Sequence, residues 1–308
     1  MQVALERVLL TWTAPLMALL IVVEMAVTAY RRKPAYEARD TVHNLLFTGL
    51  NFGLDVLLRG VSLGILAFFW GLSPLRWEAG SLWYWVGLFL AFDFCYYVLH
   101  CADHHVRFFW ATHVTHHNSE RFNLTVSIRS SVFQPFYRFL FFIPLALVGF
   151  APLHIVFMYA VCQVYGFWVH TETIGKLPAW VEAVFVTPSH HRVHHASNIR
   201  YLDRNMGMVL IVWDRIFGTF AEETERPVYG VTYRIDRPEP LGLLFGEWRK
   251  LWRDVRQAPT WRLKLAYLTK PPGWSPDGST LTSAELRQVL GYVPDATMRQ
   301  HATTAEAS

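Results

Sequence analysis

Four stretches almost free of charge, near residues 8–30, 43–74, 80–99 and 132–169, limit what this chain can fold into. A helix needs about 20 apolar residues to cross the ~30 Å hydrocarbon core of a bilayer, and these stretches meet that length. With 53% hydrophobic and only 17% charged residues, the chain also carries more apolar material than one soluble core of its size requires. The expectation is an all-α integral membrane protein with four or five membrane-embedded helices and a cytoplasmic, His-rich di-metal site. The first apolar run starts at Val8 and continues past Ala29, too long for a cleaved leader, so it should remain as an anchor. Between Phe133 and Val169, Gly149 and Pro152 interrupt the apolar pattern, which reads as a hairpin that dips into the membrane and returns.

The net charge of +4 is scattered beside the spans rather than gathered in a patch, which suits membrane topology and not a nucleic-acid partner. Arg31, Arg32 and Lys33 end the first span and belong in the cytoplasm by the positive-inside rule. Counting spans from there, the chain returns to the cytoplasm after residue 99 and again after the hairpin. The chain divides into N-terminal membrane helices (1–79), a catalytic segment (80–237) and a C-terminal tail (238–308). In the tail, Phe245, Trp248, Trp252 and Val255 recur at helical spacing among Arg249, Lys250, Arg253 and Arg256, a pattern for a helix on an anionic membrane surface or packed against its own domain. Thr282 and Glu285 are spaced to cap a short last helix, and residues from His301 on look disordered. Cys95, Cys101 and Cys162 lack any pairing pattern, so disulfides are not expected.

Eleven of the 14 histidines fall in two windows, 100–117 and 170–195. His100 and His104 are spaced i, i+4; His113, His116 and His117 are spaced i, i+3, i+4; His191, His194 and His195 repeat that triplet. On a helix each set lines one face, close enough to share a metal. Imidazole is a neutral ligand near pH 7 and suits zinc, copper, iron and nickel. With His170 as a ninth ligand, the set exceeds what one metal takes and points to two held close together. His104 and His113 would face opposite ways on one unbroken helix, so a bend should separate the first two boxes. His43, His154 and His301 have no partner at ligand spacing and are read as structural. Candidates to orient the ligands are Asp93, two turns before His100, together with His105, Glu172, His190 and Asn205; Asp103 and Asp203 are further ones. Phe92, Tyr96, Tyr97, Phe133, Phe136, Phe141 and Trp168 are candidates to line an apolar slot toward the metals.

At HCADH, HVTHH and HRVHH the chain resembles the fatty acid hydroxylase/sterol desaturase superfamily, and the resemblance extends through DFCYYVLH, FWVHTE, TPSHHRVHH and NMGMVLIVWDRIFGTF. Within it, ATHVTHHNSERFNL, FWVHTETIGKLP and VYGVT are most similar to the alkylglycerol monooxygenase branch, although His105 stands where that branch often carries Glu. The resemblance implies a membrane-bound di-iron oxygenase that oxidises a lipid (ether lipid, sterol or fatty acyl chain) with O2, tetrahydrobiopterin being a further cofactor in the ether-lipid branch. It implies a multi-pass protein of the bacterial inner membrane or endoplasmic reticulum, served by an electron donor that spacing does not name. Ligand spacing alone does not choose iron over zinc. A membrane zinc hydrolase would want an H-E-x-x-H helix, and no acid lies inside any box except Asp103. A metal transporter would place its site near the bilayer midplane, whereas these boxes adjoin Asn118, Ser119, Glu120 and Arg121.

Overall fold

The computed structural model describes residues 2–33, 35–233, 235 and 238–291; the tail expected to be disordered from His301 lies outside them. Backbone polar groups cannot be left bare in hydrocarbon, so apolar stretches of this length close their hydrogen bonds locally as helices. Among the described residues, three helices are long and apolar enough to cross a membrane: α1 (Gln2–Tyr30), α2 (Ala38–Leu72) and α3 (Leu82–His105). Their outward faces leave Leu19, Val22, Phe52, Leu57 and Phe68 exposed, which suits contact with lipid tails. The described residues are otherwise helical too, with no strand among them and only two isolated bridges, Phe185 to Leu210 and Ala196 to Tyr229.

Val106 has extended dihedrals (φ −118°, ψ 113°) and breaks the chain between α3 and α4 (Arg107–His117). This is the bend that the histidine phase requires, and it folds α4 back along α3. After α5 (Leu124–Ile128) two short 3-10 turns lead into α6 (Ile143–Leu147) and α7 (Pro152–Trp168), the expected hairpin, although its first arm is broken and short. At its tip Gly149 takes φ 107°, and a Cβ there would meet the Leu75 carbonyl oxygen at 2.7 Å, so only glycine fits. Trp70 and Trp77 donate to the carbonyls of Gly149 and Val148, tying this tip to the end of α2. Leu88, Phe92, Leu99, Phe142, Ile155 and Cys162 form the core between α3 and the hairpin.

Beyond the hairpin lie α8 (Ala179–Val184), α9 (Pro188–His194) and α10 (Val212–Phe217). Helix α9 starts with a capping box in which Thr187 accepts from His190 N–H and the His190 ring accepts from Thr187 N–H. In the tail, α11 (Pro240–Gln257) packs on α4 and on α12 (Trp261–Thr269), burying Leu251 and Val255 against Ala111. Of the four residues expected on its apolar face, Phe245 and Trp252 stay 38% and 44% exposed. Arg107 of α4 completes the contact by donating to Glu247 and Asp254. Thr282 and Glu285 form the expected capping box on α13 (Ser283–Val289).

Candidate metal centre

All eight box histidines and His170 converge on one place. His100, His104, His113, His117 and His194 bring one ring nitrogen each within 4.8 Å of one another, and His116, His170, His191 and His195 do the same in a second, adjoining set. The triplets divide between the sets. On α4 the i and i+4 members, His113 and His117, join the first set while His116 joins the second; on α9 His194 joins the first while His191 and His195 join the second. The two helices meet edge to edge, with His117 stacked on His195 at 4.4 Å and His116 against His195 at 4.6 Å.

Hydrogen bonds on the far side of the rings fix which nitrogen carries the proton. Nδ1 of His100, His116, His170 and His194 lies 2.7–3.0 Å from the carbonyl oxygens of Met206, Arg129, Gly166 and Arg204. A carbonyl only accepts, so each Nδ1 donates and each Nε2 is left with a lone pair. Those Nε2 atoms face other imidazole nitrogens: His170 to His191 at 2.8 Å and His170 to His116 at 3.4 Å. His113 and His117 approach at 3.1 Å and His104 and His117 at 3.2 Å. Nδ1 of His191 and Nε2 of His194 and His195 are buried without a hydrogen-bond partner. Clustered lone pairs of this kind repel unless a cation lies among them, so the donor set fits one metal ion in each set. Outside the spanning helices, burial and the mutual repulsion of the rings push the pKa of His113, His117, His191 and His195 well down, and burial brings His116 to about 4. Neutral rings are the form that binds metal.

Of the residues expected to orient the rings, Asp203 and Asp103 reach them and the others are engaged elsewhere. Asp93 faces away from His100 and accepts from the N–H groups of Val209 and Leu210 and from Trp213 Nε1, pinning the loop after the third box. His105 is exposed and points to its own helix at Cys101 O. Glu172 accepts from Tyr229, and His190 is occupied in the cap of α9. Asn205, at φ 56°, braces the backbone at His190 and Ala221 and so holds α9 from behind. The acids that do reach the rings are Asp203, 3.2 Å from His104 Nδ1, and Asp103, 3.6 Å from His113 Nδ1 and held by Gln134 and Tyr137. Ser131 Oγ, 3.0 Å from His113 Nδ1, had no signal in the sequence.

Two cavities touch the cluster. One of 140 Å³ reaches His104, His117, His194 and His195 under Trp110 and the α13 segment, and one of 80 Å³ reaches His100, His113, His116, His170 and His191 from the side of α2 and α7. Of the seven aromatic residues expected to line an apolar slot, Tyr96 lines the second cavity. Phe92 is packed on Phe142, Tyr97 on Phe217, and Phe136 is 54% exposed. Phe92 and Tyr97 sit on faces already filled by neighbouring rings, and Phe136 turns outward, so these three do not line a slot toward the metals.

A helical frame with three helices long and apolar enough to cross a membrane, gathering nine imidazoles into two adjoining sets that could each hold a metal ion, defines a membrane protein with a histidine-rich metal-binding cluster. The model of the fatty acid hydroxylase family matches residues 85–219 of this chain. It is 36% identical to the alkylglycerol monooxygenase of Homo sapiens over 283 residues, which cover 90% of this chain and 62% of that protein. It is 38% identical to the alkylglycerol monooxygenase of Xenopus tropicalis over 77% of this chain and 53% of that protein. A more distant relative is the ornithine lipid hydroxylase OlsE of Rhizobium tropici, 30% identical over 44% of this chain and 40% of that protein. The chain therefore spans roughly half to three fifths of the curated monooxygenases it matches here. No solved structure matches it.

Proposed function

We propose that this protein is a membrane-bound di-iron monooxygenase that hydroxylates a lipid with O2, and that the lipid is an alkyl ether oxidised at the carbon next to the ether oxygen. The observation that carries the reading is the partition of nine imidazoles, eight of them buried and His116 half-buried, into two adjoining sets, in a chain whose relatives are lipid hydroxylases by name. His100, His104, His113, His117 and His194 would hold one iron and His116, His170, His191 and His195 the other. Bound iron supplies the activation of O2 needed to attack an unactivated carbon. The protein supplies position. Carbonyls of Met206, Arg129, Gly166 and Arg204 keep the imidazoles in the ligating tautomer, and Asp203 does the same for His104. The overall change adds one oxygen atom of O2 to the C–H bond and reduces the other to water, with two electrons and two protons from a donor such as tetrahydrobiopterin. The resulting hemiacetal breaks down to a long-chain aldehyde and a glycerol.

We place the centre on the cytoplasmic side. Lys33 lines the same surface cleft as Arg121, Glu172 and Arg192, and Ser119 donates to Asp40, so the basic end of α1 and both histidine windows share one face. The positive-inside rule assigns that face to the cytoplasm.

Iron-loaded protein supplied with an alkylglycerol, O2 and tetrahydrobiopterin should release long-chain aldehyde, and Mössbauer spectra should show coupled iron. Hydroxylation of a sterol or fatty acyl lipid in place of the ether would overturn the substrate. Failure to oxidise any lipid by protein holding two irons would overturn the oxygenase.

A further inference from the structure

The middle of α2 and the facing side of α7 carry polar side chains where a membrane helix is expected to be apolar. Asn51 and Asp55 lie on α2, Tyr159 and Gln163 one turn apart on α7, and Arg138 reaches in from the hairpin. Such groups are costly in hydrocarbon and mark function by default. Part of the set is explained as helix pairing: Arg138 donates to Asp55 and lies 4.3 Å over the Tyr159 ring, while Arg59 reaches the same Asp55 from the exposed side at 2.7 Å. Pairing does not explain the rest. Asn51, Arg138, Tyr159 and Gln163 surround the 80 Å³ cavity whose far wall is His100, His113, His116, His170 and His191.

The chemistry of this wall is selective. Gln163 uses one N–H on Tyr159 and Asn51 one on the Ser131 carbonyl. Each amide has two donors and an acceptor, so capacity remains toward the cavity. Arg138 is the lining cation, and it is held by Asp55, which Arg59 shares. With the guanidinium committed to that pair, the lining offers amide and hydroxyl groups, and a neutral group with hydroxyls would find both donors and acceptors among them. At 80 Å³ the cavity exceeds several times over the ~10–15 Å³ that a single water requires, which leaves room for a small polar group.

We propose that the Asn51, Arg138, Tyr159 and Gln163 cavity is the head-group site: it takes the neutral, hydroxyl-bearing head of the lipid and presents to the histidines the first chain carbon beyond that head. The proposal rests on the lipid-oxidising reading above and deepens it by naming the residues that choose the substrate. A molecule with its polar end fixed beside the imidazoles is attacked near that end and not along the chain.

The test uses the iron-loaded full chain in nanodiscs with three lipids of one chain length: an alkylglycerol, the same molecule with both hydroxyls methylated, and a free fatty acid. The wild type should favour the free diol over its dimethyl ether by about tenfold or more, mainly in KM, because amide groups facing the blocked hydroxyls lose their partners. In the Asn51→Leu, Gln163→Leu double variant that preference should fall to within about twofold at unchanged iron content. Gln163→Met alone, a smaller change, should show an intermediate preference and covers the case in which the double variant does not hold iron. An undiminished preference for the diol in these variants would overturn the head-group site, leaving the cavity to water. A wild type that takes the fatty acid better than the diol would overturn it in favour of an anionic head, with the oxygenase intact. If the wild type with two irons oxidises none of the three, both this site and the oxygenase fall.

Discussion

Replacing Arg129 by methionine should loosen the second histidine set more than any other change outside the ligands. The Arg129 side chain is 1% exposed and bridges two helices. It donates to the Thr115 carbonyl at 2.6 Å, to Asn44 at 2.8 Å, to Asp40 at 3.2 Å and to Asn118. Thr115 and Asn118 belong to the end of α4 that carries His116 and His117, and the Arg129 carbonyl accepts from His116 Nδ1. Methionine keeps much of the apolar stem but removes the donors and the guanidinium that lies 5.0 Å over the Phe47 ring. Each stranded buried acceptor costs about 1–3 kcal/mol. Breaking a buried ion pair by removing one partner costs about 3–5 kcal/mol. Asp40 keeps its bond from Ser119 and is 16% exposed, so it can rehydrate, and the loss should sit near the lower end, about 3–4 kcal/mol. At about 2–4 °C for each kcal/mol in chains of roughly 150–250 residues, and less in longer ones, the unfolding midpoint should fall by roughly 5–10 °C. Unfolding in detergent can be followed with a thiol-reactive dye that reports exposure of Cys162, 1% exposed in the fold. Bound iron should drop with the midpoint, and Arg129→Lys should recover part of the loss, since an ammonium cannot span all four acceptors. A variant that melts within about 2 °C of the wild type and keeps two irons would refute the reasoning.

Other perturbations separate the parts of the centre. His116→Ala should lower bound metal by about half, read by elemental analysis, because His116 belongs to the four-histidine set; full metal content would show that the partition is wrong. Asp203→Asn should weaken metal retention against a chelator about 10–100-fold by removing the charge beside His104 Nδ1, and asparagine tolerates the left-handed backbone at φ 52°. The metal-free protein should lose stability in acid: the folded pKa of His116, about 4, lies below its ordinary 6.5, so its contribution is complete above about pH 6.5 and is lost as the pH falls toward 4. Metal-free melting temperatures at pH 7.5 and pH 5 check this, and an equal or higher value at pH 5 would contradict it.

What was legible in the sequence is what depends on neighbours along the chain. Triplets at i, i+3, i+4 share a helix face whatever surrounds them, and the misphase of His104 and His113 demands a break, found at Val106. Hydropathy marks the long helices because lipid imposes the same requirement along their whole length. The failures concern which segment comes to meet a face. Asp93 has the right phase to reach His100, yet the backbone N–H groups of Val209 and Leu210 and the Trp213 indole arrive there first and take both carboxylate oxygens. The partners of four imidazoles are backbone carbonyls, which every residue has and which leave no mark in a sequence. Nothing in the sequence singles out Arg129, because its partners on α2 are some 85 positions away. For Phe92 and Tyr97 the slot expectation failed for the same reason: ring content says that a face is apolar, and only packing says whether space remains beside it.

The division of the histidines also has an order in time. As the chain is made from its N-terminus, His100, His104, His113 and His117, four of the five rings of the first set, exist together once α4 is complete. The second set then has only His116 and must wait for His170, His191 and His195. On the proposed two-metal reading, a growing chain would hold its first metal with α3 and α4 alone, and that ion would splint the reversal at Val106 while the hairpin is still being inserted. His194 closes the first set at the moment its neighbours on α9 complete the second, so maturation would end in a single motion. A cell short of metal would accumulate half-loaded protein of one kind, with the earlier site filled.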